Sequence, residues 1–301
     1  MRHFLAIQEC TNQELRDLLT LSVELKRDQR QGTLRQTLKG KVLAMVFEKA
    51  SLRTRMSFQV AMSELGGHAI NLKPDDIGIL GQREPVQDIA RVLGRYVDGI
   101  MARTFLHQSV LDLARYAGVP VINALTDWSH PCQAMADLLT VQEHFGRLAG
   151  INLAFIGDGN NVARSLAFAC SRFDMHMTVA SPAGYELDVE SIQAANQERE
   201  CLVQMRDPVE AVQGADVIYT DTWVSMGQEA ETEARVRSFE GYQVNADLLS
   251  HAPRARIMHC LPAHRGHEIT DEVFESANSV IFDQAENRLH FQRALLQVLL
   301  G

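Results

Sequence analysis

From Lys41 onward the chain alternates short apolar runs with amphipathic segments, and this alternation narrows the available folds more than any other feature. The runs are KVLAMVF, HAINL, DGIMA, VPVIN, INLAFIG, HMTVA, DVIYT, RIMHC and SVIF. Runs this short, separated by stretches of helical length and pattern, predict parallel strands joined by crossover helices, an α/β architecture. They fall into two sets. One ends near Asn123, and the other restarts at Ile151 after a helix expected from about Pro131 to Phe145. Two domains follow, each a central parallel sheet flanked by helices, with the HFGRLAG segment as the hinge. Upstream, Thr11 and Glu14 form a capping box opening a helix whose Leu15, Leu18, Leu19 and Leu25 share one face. A last helix is expected from about Ala285 to Leu300, with Leu289, Leu295, Leu296 and Leu299 placed to pack back on the first half.

The 301 residues carry a net charge of -9, which repels nucleic acid and anionic membrane surfaces alike. An anion site must therefore be a local cluster of arginines. No apolar run has the length of a membrane span or a signal peptide, so a cytoplasmic address is expected. The five cysteines are scattered without a Cys-x-x-Cys pair, as expected of reduced thiols; Cys10, Cys170 and Cys201 read as small buried hydrophobes.

In open α/β sheets ligands gather at the carboxyl ends of strands, so the segments just after the apolar runs carry the interest. The first is FEKASLRTRMSF, read as strand, loop and a helix beginning at Ser51 and stopping at Gly66-Gly67. A helix start offers free N–H groups and the positive end of a dipole; Ser51, Arg53, Thr54 and Arg55 add hydroxyls and guanidinium groups within one turn. That combination can hold a phosphate. Ser51 as an ordinary N-cap beside solvated arginines fits the segment equally well. MART places Arg103 at the end of a strand. His130-Pro131-Cys132-Gln133 opens a helix with proline at its first position and aims His130 and Gln133 at a carbonyl oxygen gaining charge. GDGNNVARS links strand to helix but lacks the G-x-G-x-x-G spacing of a dinucleotide site, so Asn160 and Asn161 read as polar hooks for an amino or carboxylate group. In DTWVSMGQE, Asp221 and Ser225 can grip an amine and an amino-acid headgroup, with Gly227 permitting closure as a lid. In HCLPAHRG a thiol and carbonyls face outward from a strand end; zinc held by His259, Cys260 and His264 is the competing reading, without acidic or further cysteine partners at ligand spacing. FDQAENR puts Arg288 at the start of the last helix.

Taken in order, SLRTR, MART, HPCQ, GDGNN, DTWVSMG, HCLPAHRG and FDQAENR resemble the transcarbamoylases, and within them the ornithine branch, over essentially the whole chain. The resemblance implies transfer of the carbamoyl group of carbamoyl phosphate to the side-chain amine of L-ornithine, giving L-citrulline and phosphate, in arginine biosynthesis or catabolism. It implies no metal and no organic cofactor. By the same resemblance residues 1–145 form a carbamoyl-phosphate-binding domain, with the helix 286–301 packing back on it, and residues 146–285 an ornithine-binding domain. Ser51, Leu52, Arg53, Thr54 and Arg103 would hold the phosphate. His130 and Gln133 would hold the carbamoyl group, with Arg288, Cys260 and Leu261 also in contact. Asn161, Asp221, Ser225 and Met226 would hold ornithine, and Arg53, Arg103, His130, Asp221 and Cys260 would carry the catalysis. The Leu261-Pro262 bond would be cis. A homotrimer or multiple of trimers is implied, with sites between subunits and in the interdomain cleft.

Two positions depart from the family pattern. Leu52 stands where threonine is usual, at a place where the backbone N–H matters more than the side chain. Ile79 stands where the family often has a Gln or His donated to a neighbouring subunit, leaving Gln82 or Arg83 to substitute or that contact absent. Rival readings are a transcarbamoylase for putrescine or an acylated ornithine, a nicotinamide-dependent dehydrogenase, and a non-catalytic relative acting as a regulator.

Overall fold

The computed structural model describes residues 1–224 and 229–301. Its strands are β1 (Val42–Phe47), β2 (His68–Leu72), β3 (Gly99–Arg103), β4 (Val121–Leu125), β5 (Asn152–Ile156), β6 (His176–Ala180), β7 (Leu202–Met205), β8 (Val217–Thr220) and β9 (Arg256–His259). They form two sheets, one in the order β2-β1-β3-β4 and one in the order β7-β6-β5-β8-β9, and every pairing is parallel. β3 is buried along its whole length and β1 nearly so, which is why their runs are apolar without alternation: helices cover both faces of a parallel sheet.

The strand orders locate the chemistry. In the first sheet the chain starts at β1, crosses to β2 on one side, then to β3 on the other, so the order reverses between β1 and β3. Phe47 pairs with Arg103 across that reversal. In the second sheet the reversal lies between β5 and β8, where Ile156 pairs with Thr220. Helices leaving neighbouring strands in opposite directions open a crevice at such a point, and the segments that follow these four strands line it.

The chain divides into two compact units, Met1–Leu139 with Glu286–Gly301, and Thr140–Ala285. In the first, Val46, Ile100, Ala102, Val110 and Leu113 belong to one apolar core; in the second, Ile156, Ile218, Ile257, Val273 and Ile281 belong to another. The first long helix, Asn12–Arg30, carries the expected Thr11/Glu14 capping box and buries Leu15, Leu18, Leu19 and Leu25. Within the first unit the C-terminal helix is tied to it by Lys26, whose Nζ donates to Asn287 Oδ1 at 2.7 Å. The wholly buried Arg293 guanidinium donates to Glu64 on the Ser51-capped helix, with His290 Nδ1 3.1 Å away.

Three expectations about elements need correction. SVIF is not a strand: Ser279 makes an isolated bridge with Ile257, and Ile281 already opens the helix Ile281–Leu300. Ile281 is buried and Asp283 suits the positive end of the helix dipole; a short apolar run at a buried helix start has no periodicity to distinguish it from a strand. The helix therefore starts a turn earlier than expected, and Arg288 lies about two turns inside it rather than at its start. Conversely, β7 was not among the expected runs. It is an edge strand with Leu202 buried and Val203 exposed, so its apolar signal is weak.

Candidate active site

At the first reversal, Ser51 caps the helix Leu52–Glu64 by accepting from the Thr54 N–H at 3.3 Å. Thr54 is fully buried, and its hydroxyl accepts from Arg288 Nη2 at 2.9 Å. The other arm of the same guanidinium, Nη1, donates to Gln133 Oε1 at 3.1 Å, while Gln133 Nε2 donates to Asp137 Oδ1 at 2.8 Å. One arginine thus joins SLRTR to HPCQ, and a buried carboxylate fixes which way the Gln133 amide faces. Arg103 ends β3, is nearly buried, and its carbonyl accepts from the Glu48 N–H at 2.9 Å. His130 immediately precedes the helix Pro131–Phe145, as proline at the first helical position predicts. Leu52 projects outward, 74% exposed, leaving its backbone as the part facing the helix start. Arg55 is not in the cluster: it is exposed and its Nε donates to Gln59 one turn on, at 3.3 Å, because helical geometry turns it away from Arg53.

The pKa of His130 is lowered well below the ordinary histidine value, first by burial and then by the positive charges of Arg288, Arg103 and Arg53. It is a neutral imidazole able to donate one hydrogen bond without adding charge. Cys132 is core: its thiol faces the Asn123 carbonyl at 3.4 Å and burial pushes its pKa up to about 12.

His3, His107 and His290 are also lowered, mainly by burial, and with His130 they set an acid dependence of stability. Above about pH 6.5 folded and unfolded chains both hold these rings neutral; below it the unfolded chain takes up protons the folded chain refuses. Burial raises the Glu9 and Asp158 carboxyls, which work in the opposite sense, but they are two against four and their ordinary range lies lower. The melting temperature should fall between about pH 7.5 and about pH 5.5, and a melting temperature equal or higher at the acid end would contradict this.

At the second reversal, Asp221 follows β8 and is nearly buried. Its Oδ2 accepts from Asn160 Nδ2 at 2.8 Å; its Oδ1 accepts from the Thr222 N–H at 2.8 Å and from the Cys260 thiol at 2.9 Å. Asn160 is not a free hook. Its oxygen caps the helix Asn161–Arg172 by accepting from Val162 and Ala163, and its nitrogen holds Asp221, so both ends of the amide are used. Asn161, the first residue of that helix, is partly exposed. Ser225 and Met226, with Gly227 of the expected lid, lie outside the described residues.

Leu261-Pro262 is cis, and Leu261 has φ +61°. His259 Nδ1 accepts the Leu261 N–H at 2.8 Å, and its Nε2 lies 3.2 Å from Oε1 of Glu268, which also accepts from the His264 N–H. Asp221, His259 and Cys260 offer donor atoms within 4.8 Å of one another, a spacing a metal ion could use. The hydrogen bonds argue against it: both His259 nitrogens are committed, and the thiol and carboxylate that remain fall short of a tetrahedral zinc set. His264, expected to complete such a set, instead places Nδ1 2.9 Å from the Thr222 hydroxyl.

Glu48 in the first unit and Arg235 in the second order strand-end segments without belonging to any of the motifs. Glu48 accepts from the Leu80 N–H at 2.8 Å and the Phe105 N–H at 2.7 Å, fixing the loops after β2 and β3 against β1. Arg235 donates to Asp158 at 2.8 Å and to the Trp223 carbonyl at 3.1 Å. A charged residue directly after an apolar run was the available clue to Glu48; Arg235 had none. Ile79 is half-buried, whereas Gln82 and Arg83 are exposed. No described helix is long and apolar enough to cross a membrane.

Comparison with known proteins matches residues 2–143 to the model for the aspartate/ornithine carbamoyltransferase carbamoyl-P binding domain, and residues 149–299 to the model for the Asp/Orn binding domain of the same family. The chain is 52% identical to the ornithine carbamoyltransferase of Carboxydothermus hydrogenoformans, over 100% of this chain and 98% of that one. It is 50% identical to a Pyrococcus furiosus protein named as the anabolic ornithine carbamoyltransferase, covering 100% of this chain and 96% of the other. The solved structure of ornithine carbamoyltransferase from Pyrococcus furiosus superposes with a TM-score of 0.97 at 50% identity, covering 100% of this chain and 97% of that one. The Thermus thermophilus structure superposes at 0.90 with 48% identity, covering 99% and 98%.

Proposed function

The chain belongs to the aspartate/ornithine carbamoyltransferase family, and from that premise we propose that it transfers the carbamoyl group of carbamoyl phosphate to the side-chain amine of L-ornithine, giving L-citrulline and phosphate. The observation that carries the chemistry is the Arg288 fork on Thr54 and Gln133 beside a neutral His130, with Arg53 and Arg103 close enough to hold the proton off that ring. Ser51, the Leu52 backbone, Arg53, Thr54 and Arg103 bind the phosphate. His130, Gln133 and Arg288 hold the carbamoyl oxygen, and the Cys260–Leu261 backbone completes the carbamoyl site. Asn161, Asp221, Ser225 and Met226 bind ornithine. Residues 1–145 with residues 286–301 serve as the carbamoyl-phosphate domain and residues 146–285 as the ornithine domain.

The amine must attack as the free base. With a lysine-like pKa of about 10.4, presenting it neutral at pH 7 costs about 4.6 kcal/mol. The three guanidinium charges that add to burial in lowering the His130 pKa also lower that cost for an amine brought beside them, while Asp221 and Cys260 orient it. Its lone pair forms the new C–N bond and the bond from carbon to the phosphate oxygen breaks. The proton displaced from nitrogen leaves on a phosphate oxygen. His130 and the arginines stabilise the charge that gathers on the carbonyl oxygen and the leaving phosphate.

The enzyme works in the cytoplasm as a homotrimer or a multiple of trimers, with exposed Gln82 or Arg83 taking the role usual for the residue at Ile79. Carbamoyl transfer, followed as release of phosphate from carbamoyl phosphate, should be fast with L-ornithine and at least about 100-fold slower with putrescine or N-acetylornithine, since each lacks a charged group the amino-acid site grips. A preference for putrescine in a side-by-side assay would overturn the substrate assignment.

A further inference from the structure

His259 and Glu268 are buried side chains that no step above uses, and their hydrogen bonds constrain one another. The Leu261 N–H can only donate, so His259 Nδ1, 2.8 Å away, must be the acceptor and carry no proton. The proton of the neutral ring is then on Nε2, 3.2 Å from Glu268 Oε1. Glu268 is itself held by the His264 N–H, so the tautomer is set by a carboxylate that cannot swing away. Leu261 has φ +61°, a left-handed conformation unfavourable for a side chain with a Cβ, and the bond to His259 offsets that cost.

The consequence follows from the planarity of the peptide unit. The Leu261 N–H and the Cys260 C=O share one plane and point in opposite directions, so fixing the first on His259 aims the second directly away from it. The Cys260 side chain is fixed independently, on Asp221 at 2.9 Å. We infer that His259 and Glu268 are positioning residues that aim the Cys260 carbonyl as an acceptor for the N–H of the attacking amine. This rests on the carbamoyl-transfer reading above.

Two substitutions at one position separate this role from packing. The Oδ1 of asparagine occupies the place of His259 Nδ1, so His259→Asn keeps the acceptor for Leu261 and loses Glu268. The Nε2 of glutamine occupies the place of His259 Nε2, so His259→Gln keeps the donor to Glu268 and leaves the Leu261 N–H without an acceptor. The expected result is a kcat about 50-fold lower in His259→Gln and within about fivefold of wild type in His259→Asn, with any rise in the KM for carbamoyl phosphate confined to His259→Gln. Equal losses in the two variants, or the reverse ranking, would overturn the proposal. Should either variant fail to fold, nitrogen NMR of the wild-type protein at neutral pH decides: an Nε2–H tautomer with a hydrogen-bonded Nδ1 is expected, and the Nδ1–H tautomer overturns it. A wild-type protein that made no citrulline would instead remove the functional reading and leave the tautomer result standing.

Discussion

Replacing Arg103 by alanine should lower kcat/KM by about 10³-fold or more, the largest effect of any single substitution in the phosphate cluster. Arg103 is nearly buried at the carboxyl end of β3, in register with Phe47 of β1. A guanidinium there can make two charge-assisted bonds to a phosphoryl group, each worth roughly 1.5 to 3 kcal/mol, and both strengthen as phosphate leaves. Arg103→Lys keeps the charge but loses the fork, so it should recover only part of the loss. Affinity for inorganic phosphate as a product inhibitor should fall in parallel. The fold should survive, because the strand backbone is unchanged; a cooperative melt like that of wild type is the control. Turnover by Arg103→Ala within tenfold of wild type would show that this arginine does not hold the phosphate.

Asp221→Asn should be nearly as damaging, but through the other substrate. The two carboxylate oxygens accept from Asn160, Thr222 and Cys260. An amide cannot replace them: whichever way it turns, its NH2 group meets a donor, either Asn160 Nδ2 on one side or the Thr222 N–H and Cys260 thiol on the other. The negative charge that draws the amine is lost as well. We expect kcat/KM for ornithine to fall by about 10³-fold, on the order of 4 kcal/mol, while equilibrium dialysis shows carbamoyl phosphate binding unchanged, since the residues assigned to it in Met1–Leu139 and Glu286–Gly301 are untouched. Unchanged ornithine kinetics, or equal weakening of both substrates, would show that Asp221 does not orient the amine.

Much of this architecture is legible in the chain because strands covered on both faces are continuously apolar, as β1 and β3 are, and eight of the nine strands fall on the expected apolar runs. β7, with Leu202 its one buried residue, does not. The reversal points, and hence the loops that matter, require the order in which strands pair, which no local pattern encodes. Ser51 as a cap and the capping box at Thr11 were readable because each depends on neighbours within a few residues, whereas the cis bond at Leu261 was implied only by the family resemblance. Arg288 on Thr54 and Gln133, Glu48 on Leu80 and Phe105, and Lys26 on Asn287 are set by contacts between segments far apart in the chain. Asn160 shows how the two levels mix. Its capping role is local and was available from its position before a helix, but its hold on Asp221 removes the freedom expected of a substrate hook.

The helix Ile281–Leu300 supplies Arg288 to Thr54 and Gln133 and Arg293 to the half-buried carboxylate of Glu64. Thr54 and Glu64 are translated 234 and 229 residues earlier and Gln133 155 residues earlier, so on the ribosome they wait through the synthesis of the entire second unit. A nascent chain holding residues 1–139 has SLRTR, MART and HPCQ but neither the cation that joins two of them nor the counter-charge for Glu64. The first unit to emerge is thus the last to be completed, and an incompletely translated chain cannot assemble the cluster proposed to bind carbamoyl phosphate.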